Sequence, residues 1–347
     1  MKSQLSKEFK QFAMEQCEGS SPLYKALSLR ISQDDEVLEV CLGANEGQPV
    51  PNLLFGAVQY ILMKETHHAL RAFYPSLTKR AETGQEAFPA FKEFVLTHHE
   101  QIRELLKTRR VQTNEVRRCA YLYPVFASLH QDLKKPLSLI EVGTSAGLQL
   151  LWDQYGYSYH GKTYGNQNAE LVLTAEVKNG RLPVLPGDVP PVVERVGVDL
   201  NVSDLTDEDD RLWLKALIWP EHHERRGNFD RASMIVRENP PRLVEGNGVS
   251  LLPELAKQMN KDSLLCIFHT HVANQMPAHV REDLMEKVEA LGEQRDTAHI
   301  FNNITDGKLR VDLFVNGRRT SQLIGETDGH GRWFEWHAEK WQGTESF

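Results

Sequence analysis

Three groups of residues have types and spacings that could do chemistry. The first is Glu141-Val142-Gly143-Thr144-Ser145-Ala146-Gly147, which follows the apolar run Leu137-Ser138-Leu139-Ile140 and precedes Leu148-Gln149-Leu150-Leu151-Trp152. Glycines between a strand and a helix permit unusual backbone angles and let a ligand approach the main chain. The start of the helix would offer unpaired N–H groups. The second is Asp199, at the end of Val196-Gly197-Val198-Asp199-Leu200. A carboxylate at the carboxyl edge of a neighbouring parallel strand can accept two hydroxyl hydrogen bonds, the alternative being an acid that caps a helix or a turn. The third is His269-Thr270-His271, which runs out of Leu264-Leu265-Cys266-Ile267-Phe268. His269 could act as a general base, position a nucleophile, or simply close a strand end. His269 and His271 share one face of a continuing strand, but no third ligand stands at zinc-like spacing, so no metal is expected.

The loop admits several readings. A tight strand-to-helix connection with no ligand is one. A dinucleotide G-x-G-x-x-G starting at Gly143 fails at Ser145 and Leu148, which disfavours NAD. Gly143-Thr144-Ser145-Ala146-Gly147 spells the G-x-S-x-G nucleophile elbow, and Ser145, Asp199 and His269 or His271 fall in α/β-hydrolase order. Against that serine hydrolase stand the helical residues ahead of the loop, where earlier strands and an oxyanion loop belong.

Read from Glu141, the loop resembles motif I of class I S-adenosylmethionine-dependent methyltransferases, D/E-x-G-x-G-x-G. Glu141, Gly143 and Gly147 match, and Ser145 replaces the middle glycine. The resemblance implies that S-adenosylmethionine is the cofactor and that Glu141, Gly143, Thr144, Ser145 and Gly147 cradle it. It further implies that Asp199, with Leu200, meets the ribose, that Asn247 after Leu243-Val244-Glu245-Gly246 meets the adenine, and that His269 and His271 border the transferred methyl. A small molecule or a protein side chain would be the acceptor. A non-catalytic binding module on the same fold is the remaining alternative, and Ser145 is the feature that keeps it open.

Further strings resemble an uncharacterised bacterial family known only as a domain of unknown function. They are Gln112-Thr113-Asn114-Glu115-Val116-Arg117-Arg118, the Glu141 loop, Gly197-Val198-Asp199-Leu200-Asn201, and Trp219-Pro220-Glu221 with Glu224-Arg225. Thr113 or Asn114 could cap a helix with Glu115 in its first turn. Alternatively Asn114, Glu115 and Arg118 reach over the carboxyl edge of the sheet. Glu115 is then a candidate catalytic group, and Asn114, Arg118 and Trp219 are candidates for holding substrate.

The elements that must position these residues fall into two textures. Up to about residue 132 apolar residues recur at helical spacing, as in Phe88, Phe91, Phe94, Val95, Ile102, Leu105 and Leu106. Only Val37 to Cys41 shows strand-like alternation there. After Lys135-Pro136, short β-branched or leucine-rich runs alternate with helical segments, the pattern of an α/β domain. Expected strands are Leu137 to Val142, Val193 to Leu200, Arg242 to Glu245, Ser263 to His269, His299 to Ile304, Leu309 to Asn316, and one near Trp333 to Trp336. The last two should form an antiparallel pair. The expected fold is therefore a Rossmann-like, seven-stranded, mostly parallel sheet of methyltransferase type over residues 133–347. A helical domain precedes it at 1–132, and a hairpin or flap is inserted at about 157–192.

The 347 residues carry 40% hydrophobic and 25% charged side chains, the composition of a soluble globular protein. A formal charge of -8 argues against general phosphate attraction, so no nucleic-acid partner is expected. No signal-peptide-like stretch opens the chain and nowhere do about 18 apolar residues run together, which leads to the expectation of a cytoplasmic protein without a membrane partner. Cys17, Cys41, Cys119 and Cys266 have neither CxxC nor zinc spacing and are expected to be buried thiols.

Overall fold

A computed structural model describes residues 1–179 and 181–341. The chain divides into two compact units: residues 1–113 with 206–227, and residues 114–205 with 228 onward.

The first unit holds α1 (Lys2–Glu15), α2 (Pro22–Ile31), α3 (Asp35–Val40), α4 (Val50–Lys64), α5 (Phe88–Thr97) and α6 (His99–Thr108). Helix α7 (Cys119–Leu133) belongs to the second unit, α8 (Glu208–Ala216) returns to the first, and α9 (His223–Glu238) follows it in the chain. The apolar faces meet around Phe55, which stacks on Tyr24 at 4.0 Å between ring centroids and also touches Phe9, Phe12 and Phe91. Val37 to Cys41, strand-like in sequence, is helical. Asp34 caps the N–H groups of Glu36 and Val37, and Val37, Leu38 and Val40 turn inward on the short helix. No described helix is long and apolar enough to cross a membrane.

The second unit is built on a sheet. Its strands are β1 (Leu137–Val142), β2 (Gly156–Tyr159), β3 (Lys162–Gly165), β4 (Val172–Thr174), β5 (Glu176–Lys178), β6 (Val192–Asp199), β7 (Arg242–Glu245), β8 (Leu264–His269), β9 (Thr297–Phe301), β10 (Leu309–Val315), β11 (Arg318–Gly325) and β12 (Trp333–Glu335). Seven of them form one sheet in the order β11-β10-β9-β8-β1-β6-β7. From β7 to β9 all neighbours are parallel, and β10 and β11 are antiparallel additions at one edge. Numbered within the sheet, the order is 3-2-1-4-5-6-7, whose first six places repeat that of doubly wound nucleotide-binding sheets, with the sixth strand reversed.

Every residue of β1, β8 and β9 is buried, as strands covered on both faces must be. Helices α10 (Gly248–Gln258) and α11 (Ala278–Gln294) cover one face through Leu252, Leu255, Leu284 and Val288 against Ile140, Val196, Leu265 and Ile267. On the alternate parity, Phe126 of α7 meets Phe268 edge-on at 5.5 Å and stacks on Trp152 at 4.7 Å. This packing ties residues 114–133 to the sheet, so the division of the chain is discontinuous, where the sequence suggested a single boundary.

The expectation for the last strand is corrected. The seventh strand of the sheet is β11, not the Trp333 run, which instead pairs with β5 in a separate two-stranded ladder. The hairpin β10–β11 turns on Asn316 (φ 52°) and Gly317 (φ 73°), the left-handed pair that a two-residue type I′ loop requires. The inserted segment begins as a hairpin of β2 and β3 that β4 joins alongside β2. It is docked rather than free: Tyr157 stacks on Tyr123 at 4.4 Å and Tyr159 donates to the Ala120 carbonyl. The four cysteines are buried free thiols.

Candidate functional site

β1 is the central strand, and its chain neighbour β6 lies on one side while β8 lies on the other. That divergence makes the carboxyl ends of β1 and β8 the topological switch point, the crevice where open α/β sheets bind ligands. The Glu141 loop leaves β1 there, and His269-Thr270-His271 leaves β8.

Gly143, Ser145 and Gly147 all have positive φ, at 76°, 50° and 73°. A side chain at Gly143 would also meet Val272 at 2.4 Å, so glycine is required there for space as well as for angle. The loop is stitched down by hydrogen bonds within the second unit. Gly143 N–H donates to Val198 O at 2.8 Å, Ser145 N–H to Asp199 Oδ2 at 2.8 Å, and Gly147 N–H to Thr144 O at 3.0 Å. Asn114 clamps it from above: Oδ1 accepts from Ala146 N–H at 3.3 Å and Nδ2 donates to Ser145 Oγ at 2.9 Å. The following segment, Leu148–Gln154, is a 3-10 helix kinked at Leu151, where the sequence suggested an α-helix.

Glu141 is buried and accepts from Thr144 Oγ1 at 2.6 Å. Burial pushes its carboxyl up to about 8, with the Asp199 charge adding and the Thr144 bond and Arg118 opposing. Gly197, opposite Glu141 in the β1–β6 register, leaves room for Thr144, whose Oγ1 would lie 2.4 Å from any added Cβ. Asp199 accepts the Ser145 amide on one oxygen and the Asn201 amide on the other, at 2.8 and 3.0 Å, which is the turn-acid geometry. Its carbonyl takes Gly246 N–H, joining the ends of β6 and β7. Leu200 is 69% exposed. Asn247 caps α10 by accepting Ser250 N–H at 3.1 Å.

The candidate catalytic groups separate. His269 is wholly buried, and its Nε2 lies 3.1 Å from Nε2 of His299 on the next strand. Both rings pack on Phe301, and burial lowers both pKa values, that of His299 to about 3. The expectation of a base at His269 is corrected on this geometry, because a ring enclosed in the core and bonded to a second histidine reaches no external substrate. His271 differs: it is half-buried, at φ 56°, with Nδ1 3.0 Å from Asn303 Nδ2.

Asn114, Glu115 and Arg118 do assemble around these loops. Glu115, not Thr113 or Asn114, caps the turn Val116–Arg118 by accepting Arg117 N–H, and its Oε2 lies 3.2 Å from His330 Nδ1. Arg118 donates from Nε to Gly329 O and from Nη1 to Thr270 O and Oγ1. Thr270 Oγ1 is bonded in turn to the amide of Gln149. Gln149, Thr270, Val272, His299 and Asn303 thus complete the group, and the sequence reading did not single them out. Gln149 is a polar residue inside an apolar run and Thr270 stands between the two histidines that follow the apolar residues of β8, signals that could have found them. Trp219 lies in the first unit, against Phe12, Tyr24 and His222, while Glu221 accepts Ser21 Oγ and Leu23 N–H. Its string anchors the start of α2.

Among the described residues no histidine is bonded to Ser145, whose hydroxyl partner is Asn114, and both oxygens of Asp199 face main-chain amides. Those contacts do not assemble a hydrolytic triad. Among the described residues no three His, Cys, Asp or Glu side chains converge as metal ligands.

A family model described as an uncharacterized protein conserved in bacteria (DUF2332) matches residues 6–336. A search of curated proteins finds no match.

Proposed function

The chain belongs to the DUF2332 family, and we propose that its second unit binds S-adenosylmethionine at the carboxyl edge of β1, β6 and β7 and transfers the methyl group to a small molecule or a protein side chain. The observation that carries this reading is the direct bond between the loop after β1 and the acid ending β6, set beside the switch point. A carboxylate has about four lone-pair sites, and the two amides on Asp199 occupy one on each oxygen. The second site on each oxygen suits a vicinal diol such as the ribose hydroxyls. Asn247 caps α10 through Oδ1 alone, which leaves its NH2 group as a donor for an adenine ring nitrogen.

S-adenosylmethionine would supply an electrophilic methyl on a sulfonium. The protein's part is then to align the acceptor, with a proton acceptor needed only if the nucleophile is protonated. Isothermal titration calorimetry with S-adenosylmethionine and S-adenosylhomocysteine tests the proposal. Saturable one-to-one binding supports it; heat-silent titrations of both at millimolar concentration sink it.

A second reading is a non-catalytic module on the same fold, and a specific contact favours it: Val272 already packs over Gly143. Binding of the cofactor without turnover against any acceptor in a cell extract carrying radiolabelled cofactor would favour the module.

A further inference from the structure

Arg118 sits where stability gains little from a cation. It is 7% exposed, and its three hydrogen bonds go to uncharged oxygens of Gly329 and Thr270. Among the described residues no carboxylate pairs with it and its Nη2 has no partner. Buried charges are ordinarily paired, and a positive charge at the N-cap of α7 also opposes the helix dipole. A cation kept under both penalties points to an anion from outside.

His271 is the second half of the arrangement. Asn303 Nδ2 donates both to Asn302 Oδ1 at 3.1 Å and to His271 Nδ1 at 3.0 Å, while Asn302 Oδ1 accepts His271 N–H at 2.7 Å. With Nδ1 an acceptor, the neutral ring carries its proton on Nε2. That Nε2 is buried and has no partner. Burial, helped by the Arg118 charge, lowers the ring's pKa to about 4, so it is a neutral donor at pH 7. Arg118 and His271 are neighbours by two routes. Thr270, which accepts from Arg118, precedes His271. Gly329, whose carbonyl accepts from Arg118 Nε, lies so close that a Cβ on it would be 3.8 Å from His271 Cε1.

We propose that Arg118 and His271 bind a monoanionic carboxylate of the ligand taken at this edge, one oxygen on Arg118 Nη2 and the other on the Nε2–H of His271. A planar two-oxygen anion matches one guanidinium edge and one ring donor. A phosphate dianion matches less well, because Arg118 and the neutral His271 ring supply a single positive charge between them and, although the His330 charge also acts on the ring, the Asp199 and Asp328 charges act on Glu141 and His271. The inference rests on the reading of this edge as a ligand site and names the chemistry held there. The carboxylate comes either from the amino-acid end of S-adenosylmethionine or from the acceptor.

The test uses the full chain, with thermal unfolding and calorimetry in sodium acetate, acetamide and sodium chloride at matched ionic strength. Acetate is expected to raise the unfolding midpoint, and acetamide and chloride to leave it unchanged. Arg118→Gln and His271→Gln should each weaken acetate binding by roughly tenfold or more, and Arg118→Lys should restore part of it, since it keeps the charge without the fork. Circular dichroism verifies that the variants are folded; if Arg118→Gln is not, His271→Gln decides. Acetate acting no differently from acetamide, or acting equally on wild type and the folded variants, overturns the proposal.

S-adenosylhomocysteine and 5′-methylthioadenosine, which lacks the amino-acid end, identify the source. If the cofactor supplies the carboxylate, S-adenosylhomocysteine binds more tightly, competes with acetate, and loses its advantage in Arg118→Gln. If the acceptor supplies it, the two nucleosides bind alike and acetate binds alongside them. Acetate binding with neither nucleoside bound would overturn the cofactor reading and uphold this one. Nucleoside binding without an acetate effect would do the reverse.

Discussion

The main-chain N–H of Ser145 donates to Asp199 Oδ2 across 2.8 Å, tying the loop after the central strand to the end of its neighbour. The acid read from sequence as a ribose ligand is thus also what holds the loop in place. Binding and local stability are coupled at this one side chain.

Asp199→Ala leaves the Ser145 and Asn201 amides without their acceptor, a loss of about 1–3 kcal/mol where such groups are buried. Asp199→Asn keeps one acceptor oxygen and should cost less. Both should weaken S-adenosylhomocysteine by roughly tenfold or more, since hydrogen bonds to a charged acceptor are the strong ones. Urea unfolding and calorimetry on the same samples check the two effects. Equal stability losses in the two variants would contradict the shared-acceptor account.

Gly143 and Val272 should be coupled energetically. Gly143→Ala places a methyl within 2.4 Å of Val272 at a φ of 76°, and should destabilise by about 2–4 kcal/mol from crowding and left-handed strain together. Val272→Ala removes the two nearest atoms, so Gly143→Ala should cost less in that background. A double-mutant cycle that is additive within about 0.5 kcal/mol would rule out the contact as the cause.

Glu141 predicts a pH dependence of definite sign. Its folded pKa is raised to about 8 from 4.5, so the native state holds a proton that the unfolded state gives up. That contribution is fully present below pH 4.5 and is lost as pH rises through 8. Glu141→Gln, a neutral isostere, should flatten the fall in unfolding midpoint between pH 6 and 9 and be the more stable form at pH 9. Parallel curves for the two proteins would place the Glu141 carboxyl in an ordinary, solvated setting.

Much of this edge was legible because local pattern sufficed. Leu137 to Val142 and Arg242 to Glu245 were bounded correctly by apolar runs between turn residues, and the glycines marked the loop. β11 was missed because Arg318, Arg319, Thr320, Ser321 and Gln322 give an edge strand no apolar signature, and only Asn316-Gly317 announced the hairpin. The Trp333 run looked like a core strand because aromatics favour strands, yet it pairs elsewhere. Arg118 meets Gly329 across 211 positions and His269 meets His299 across 30. The second contact follows from the pairing of β8 with β9 and the first from the packing of the turn after β11 on the turn before α7, and single-chain periodicity encodes neither.

The histidines predict the opposite slope at acid pH. His269, His271 and His299 all have lowered pKa values, His271 to about 4 and His299 to about 3, so their neutral forms stabilise the fold above pH 6.5. As pH falls below 6.5 the unfolded chain takes up protons that the native state refuses, and stability drops toward those lower pKa values. His299→Gln removes one such proton and should make the decline in urea midpoint between pH 7 and 5 shallower. An unchanged decline would mean that His299 titrates normally in the folded protein.

If an adenosyl cofactor sits on the carboxyl edge of β1 and β6, a crystal structure of the full chain grown with S-adenosylhomocysteine will show it there. The ribose hydroxyls are expected within hydrogen-bonding distance of both Asp199 oxygens, with Ser145 N–H still bound to Oδ2. Density for the ligand anywhere else, or an edge left empty at a saturating concentration, would contradict it.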